Sequence, residues 1–192
     1  MKNNKEFSDF IYQFFWSFKR MDNAGYNYEI LNSLYLGKKK SNNPEHFNKP
    51  IIIILVSIIE CCIYDFVKRV NQHRSEKIPN MHFEFIQSTR EKQLDKFEPL
   101  IAHIKKFDLL KEENNERLYE NLDLLRKIRN RVHIQNSNSL IDNDEQPIWN
   151  QKRLNLAETV FERILGFLST DYPRPGRDKI SLKDIALPWK DN

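Results

Sequence analysis

Glycine is scarce. The 192-residue chain holds four, too few for the turns of a β-sandwich or barrel or for the Gly-rich loop of a nucleotide-binding fold. Cysteine is scarcer still, with two. Cys61 and Cys62 stand side by side in an apolar run, where they can build neither a disulfide framework nor a zinc site. Buried thiols in a reducing compartment are the expectation. An excess of one charge is lacking as well. The net charge is +4, acids and bases alternate over most of the chain, and the one pure basic triplet, Lys38 to Lys40, is expected in a solvated loop beside Ser41-Asn42-Asn43-Pro44. No run reaches the roughly twenty apolar residues of a membrane span. Ile51 to Ile59 is interrupted by Ser57 and closed by Glu60, Asp65 and Lys68, so a buried core helix is expected there. Met1 to Glu6 is polar, and the aromatic stretch behind it is broken by Asp9, Gln13 and Lys19, which does not fit a secretory leader. A cytoplasmic protein with no membrane partner is expected.

Long stretches rich in Leu, Ile, Phe, Glu, Lys and Asn remain, and they describe helices. The length suits one domain with a core of its own. The reading is an all-α helical bundle over residues 1–172, with its core at 50–170, extra helices at the N-terminus and an extended tail at 173–192. Phe7, Phe10, Ile11, Phe14, Phe18 and Met21 recur at three- and four-residue steps, which predicts one first helix. Gly25 and Tyr26 break it, and Tyr28 to Leu36 form a short second helix. A central helix is predicted from Pro50 to Val70, burying Ile52, Val56, Ile59, Ile63, Phe66 and Val70. Glu60 lies at the edge of that stripe, where a buried carboxylate would need a cation or a hydrogen-bond donor.

The periodicity fades from Asn71 to Gln93, which reads as a long connection. Helices follow over Leu94 to Phe107, Glu112 to His133 and Arg153 to Leu168, the last burying Leu154, Ala157, Val160, Phe161, Ile164 and Leu168. Pro173, Pro175, Gly176 and Pro188 keep the tail extended, and Ile180, Leu182, Ile185 and Trp189 are placed to pin it. His73, His82 and His103 lack the company of a metal site, so neither metal nor cofactor is expected.

The helix ending near His133 departs from simple core patterning. Leu118, Leu122, Leu125 and Val132 form a three-four stripe that Ile128 widens. On a wheel of about 100° per residue, Arg126, Arg129, Asn130 and His133 all fall on one flank of it. Charged residues enter a core stripe only when paired or facing another surface, so this flank is the candidate site. The alternative is a surface helix end whose cations complement the dipole, with His133 capping the last turn.

The run Leu124-Leu125-Arg126-Lys127-Ile128-Arg129-Asn130-Arg131-Val132-His133-Ile134 resembles the signature of the HEPN superfamily, in which an Arg, often followed by a polar residue, precedes a His near the end of a bundle helix. The segment containing Ser57-Ile58-Ile59-Glu60 and Tyr64-Asp65-Phe66 is similar to the apolar helix packed beside that motif. The family spacing leaves about four to six residues between Arg and His. Arg126 meets that spacing and Arg129 supplies the Arg-Asn pair, so both are candidates.

The resemblance implies a HEPN-like up-and-down bundle and metal-independent RNA cleavage by 2′-hydroxyl attack, in a toxin–antitoxin or phage-defence setting. His133 would be general acid or base, Arg129 or Arg126 would hold the phosphate, and Asn130 would orient substrate or imidazole. RNA, a second copy of the chain in a homodimer, and an antitoxin or defence-system protein are the implied partners. The other reading is a non-catalytic HEPN-like module that binds RNA or protein.

Overall fold

Phe7, Phe10 and Ile11 are wholly buried on helix α1 (Lys2–Tyr12), but the helix expected to continue to Met21 stops there. The computed structural model describes residues 2–72, 83–92, 94–111, 117–132 and 145–190, and among them there is no strand. After Tyr12 the chain turns, and α2 (Phe18–Lys40) begins. The turn is fixed from a distance. The buried carboxylate of Asp65 accepts the backbone N–H of Trp16 (2.6 Å) and of Ser17 (3.1 Å) and the Arg20 Nε–H (2.7 Å). Ser17 then caps α2 by accepting the Arg20 N–H. Phe14 and Phe15 stay buried through the turn, whereas Phe18 is 62% exposed. The apolar period therefore ran across a corner.

Gly25 does not break α2. A Cβ there would lie 3.0 Å from Ser8 Oγ, so this glycine permits close approach of α1. The expected short helix from Tyr28 to Leu36 is part of this longer one. Lys38 to Lys40 form the last turn of α2 rather than a loop, where cations complement the negative helix end.

A 3-10 turn (Pro44–Phe47) leads into α3 (Asn48–Gln72), which packs on α2, α4, α5, α6 and α8. All six residues expected in its core are buried, as is Cys62, while Cys61 is half-buried. Burial holds both thiols above the ordinary cysteine value, Cys61 at about 11. The stretch from Pro44 to Gln72 is long and apolar enough to cross a membrane, but most of it is covered by the bundle, the pattern of a core helix.

The connection expected at 71–93 contains α4 (Phe83–Glu91), held to the core by Phe85 and Thr89, both fully buried. Residues 73–82, with His73 and His82, lie outside the described residues. Helix α5 spans Phe97–Lys106, starting after Leu94, which is buried but not helical. Helix α6 spans Leu118–Asn130 and is shorter than expected. Helix α7 (Glu145–Ile148) precedes α8 (Gln151–Asp171), whose six expected core residues are all buried.

Arg69, with no exposed surface, donates to the carbonyls of Tyr172 (2.7 Å) and Pro173 (3.2 Å) and so satisfies acceptors at the end of α8. The tail is then clasped to the α1–α2 turn. Gln13 Nε2 donates to Ile180 O (2.9 Å), Gln13 Oε1 accepts from Ile180 N (3.3 Å), and Arg174 N donates to Gln13 O (2.7 Å). Ile185 and Leu187 are buried, and Ile180, Leu182 and Trp189 pack beside them.

Candidate functional site

Helix α6 presents Leu118, Leu122, Leu125 and Ile128 to the core. It ends one residue before Arg131, which leaves the helical conformation (ψ 12°) and donates its N–H to Ile128 O (3.0 Å). Val132 follows outside the helix and is 42% exposed. Its expected place in the buried stripe is therefore wrong. The three-four spacing holds only while the backbone keeps turning.

The two candidate arginines are held by different neighbours. Arg126 Nε donates to Asp123 Oδ1 (2.9 Å), its Nη2 lies 2.7 Å from the same oxygen, and its Nη1 lies 3.2 Å from Glu98 Oε2 on α5. Its side chain is 12% exposed. Burial pushes Asp123 upward, but the hydrogen bonds and charges of Lys127 and Arg126 outweigh it and hold the carboxyl below the ordinary aspartate value. Arg129 reaches the central helix instead, donating from Nη2 to Glu60 Oε2. The buried Nε of Arg129 has no acceptor.

Asn130 is exposed and Arg131 is buried. His133 lies outside the described residues. Of the four residues singled out in the sequence, three can thus be placed. Arg126 is enclosed by carboxylates, Arg129 bridges two helices at a partly open edge, and Asn130 faces solvent beside it in sequence.

Glu60 answers the requirement set by its position at the edge of the α3 stripe: a carboxylate there takes a guanidinium partner. A guanidinium offers five N–H donors in a planar fork. Arg129 therefore keeps further donor capacity with Glu60 on Nη2. Such a fork, oriented by a carboxylate on a rigid helix, suits a phosphate. Among the described residues no group of His, Cys, Asp and Glu could hold a metal ion.

Sequence reasoning missed three polar arrangements. Asp65 and Arg69, one helical turn apart and both buried in α3, fasten the α1–α2 turn and the end of α8. Their signal was legible, since they violate an apolar helix as Arg129 does. His103 is buried between α4 and α5. Thr89 Oγ1 donates to Phe85 O (2.7 Å) and so accepts from His103 Nε2 (2.8 Å), leaving Nδ1 unprotonated and without a partner. Trp149, also buried, has an indole N–H with no partner. No protein family, curated protein or solved structure matches this chain.

Proposed function

We propose that the chain is a metal-independent endoribonuclease of HEPN-like type, with Arg129 as the phosphate-binding arginine. The observation that supports this reading is the Arg129–Glu60 pair, a guanidinium oriented by the central helix and 26% exposed; three residues separate Arg129 from His133, fewer than the family spacing, which Arg126 meets. Arg126 is the weaker candidate, because two carboxylates already occupy its fork.

In this reading the ribose 2′-hydroxyl gives its proton to a base and its oxygen attacks the adjacent phosphorus. The P–O5′ bond breaks, the 5′-oxygen takes a proton from an acid, and a 2′,3′-cyclic phosphate is left. Arg129 stabilises the charge on the non-bridging oxygens. His133 serves as base or acid, and a second copy of the chain across a two-fold axis supplies the other imidazole. Val132 and Asn130 at the end of α6 are exposed, and this reading sets the second copy against them. An antitoxin or defence-system protein would keep the activity in check.

A second reading rests on the same geometry. Both arginines carry carboxylate partners within the chain, which favours a non-catalytic module that binds RNA or protein. The deciding experiment is incubation of single-stranded RNA with purified protein in EDTA. A 2′,3′-cyclic phosphate product supports the nuclease; RNA retained intact on the protein supports the binding module.

A further inference from the structure

Helix α2 packs against α1, α3 and the Pro44–Phe47 turn, and buries Ala24, Gly25, Tyr28 and Leu31. Its outer side carries large apolar groups as well: Tyr26 is 64% and Leu36 60% exposed. Single exposed apolar residues are ordinary on a protein surface. The spacing of these two belongs to a longer pattern. Asp22, Tyr26, Glu29, Ser33, Leu36 and Lys40 are all exposed and follow one another at steps of four, three, four, three and four, the seven-residue repeat by which one helix lies along another. On a wheel of about 100° per residue they fall within an arc of about 80°.

The stripe is also complementary to itself. Asp22 and Glu29 lie before the level of Leu31, and Lys40 lies in the last turn of the helix. An antiparallel copy, turned about a two-fold axis level with Leu31, sets Tyr26 opposite the partner's Leu36, Asp22 opposite the partner's Lys40 and Glu29 opposite the partner's Ser33. Each of these pairings then occurs twice. A parallel copy in register would set Asp22, Glu29 and Lys40 each against its own kind, and like charges facing one another oppose association.

We propose that this face of α2 docks the same face of a second copy of the chain, antiparallel and in that register. The Tyr26–Leu36 contacts supply the attraction. The Asp22–Lys40 pairs set direction and register, since an exposed ion pair contributes about 1 kcal/mol or less. From Asp22 to Lys40 the contact runs about 27 Å along each helix at roughly 1.5 Å per residue, which places it at the small end of specific interfaces and makes the association weak. The surface lies on α2 rather than at the end of α6. It is therefore distinct from the contact that would pair two imidazoles, and it goes beyond the nuclease reading.

The test is sedimentation equilibrium of the full chain from about 5 to about 500 µM, the range of a weak interface, with the variants Asp22→Lys and Lys40→Asp. Either variant alone sets like charges opposite one another at both ends of the contact. Mixed together they are complementary, because the new lysine of one faces the new aspartate of the other and the native Lys40 of the first faces the native Asp22 of the second. The mass of the parent should rise with concentration, each variant alone should need about tenfold more protein or beyond for the same rise, and the equimolar mixture should regain the parent's association. Leu36→Ser should weaken association without a charge change. Helical circular dichroism should be unaltered throughout, since these side chains are exposed. Recovery in the mixture reads a contact between chains, because the two positions stand about 27 Å apart on one helix. The mass from which the rise begins, one chain or two, reports on the nuclease reading; the rise itself reports on α2. No rise over this range, a rise undiminished in both variants, or a mixture no more associated than its components would overturn the proposal.

Discussion

Glu60 on α3 accepts a hydrogen bond from Arg129 on α6 across 69 positions of sequence, and the two side chains remain 28% and 26% exposed. An ion pair at such an edge contributes about 1 kcal/mol or less to stability. Holding a guanidinium in one orientation is the larger consequence, and it separates Arg129 from Arg126, whose side chain is 12% exposed between Asp123 and Glu98.

Arg129→Ala should therefore lower RNA cleavage by about a hundredfold or more while shifting the unfolding free energy by no more than about 1 kcal/mol. Arg126→Ala should lower the rate less, at a stability cost of the same order, because Asp123 keeps Lys127 and Glu98 is largely exposed. Urea unfolding beside initial cleavage rates separates the two. Equal losses of activity would end the distinction between the arginines.

Asp65→Ala should destabilise the protein by about 3 kcal/mol, because it strands the N–H groups of Trp16 and Ser17 and the Arg20 guanidinium. Lys68→Ala removes a more exposed pair with Asp95 and should cost under about 1 kcal/mol. A shared urea midpoint for the two variants would mean that Asp65 does not hold the turn.

These residues mark where the sequence was readable. The interiors of α3 and α8 followed from period alone, since the apolar residues at the expected steps are buried along the length of each helix. The corner at Gln13 to Ser17 did not follow, because the carboxylate that makes it lies 48 and 49 positions away while Phe14 and Phe15 keep the apolar rhythm going. Helix α4 was too short to show a period, and Phe85 and Thr89 hold it by contact with α5. At the candidate site, a charge inside the stripe correctly marked Arg129 as a residue needing a partner. The wheel set Arg126 beside it but could not show that one side chain turns to α5 and the other to α3.

His103 should make stability pH-dependent. Burial, followed by the fields of Lys92 and Lys106, holds its imidazole below the ordinary value of 6.5. The unfolded chain therefore binds the proton first as pH falls. The stabilising contribution is complete above 6.5 and is lost as pH drops from there through the folded value. His103→Leu should flatten the urea midpoint between about pH 7 and pH 5 relative to the parent. A slope unchanged by the substitution would show that other groups carry it.

The last prediction concerns His133 and the second copy of the chain. If paired imidazoles supply base and acid, the protein sediments as a dimer at micromolar concentration, and RNA cleavage persists in EDTA, since a proton-transfer mechanism on this motif uses no metal. His133→Ala should then reduce cleavage by about a hundred- to ten-thousandfold, the usual cost of losing a positioned proton donor or acceptor. Its helical circular dichroism, thermal midpoint and sedimentation should match the parent, because the described core of α6 is completed by Leu118, Leu122, Leu125 and Ile128 without it. Mixing His133→Ala with parent protein gives a sharper measurement. In a shared site each mixed dimer lacks one imidazole, so activity falls faster than the fraction of parent chains; in a self-contained site it falls in proportion. Undiminished cleavage by His133→Ala would remove this motif from the chemistry, and unfolding of the variant would make His133 a structural residue.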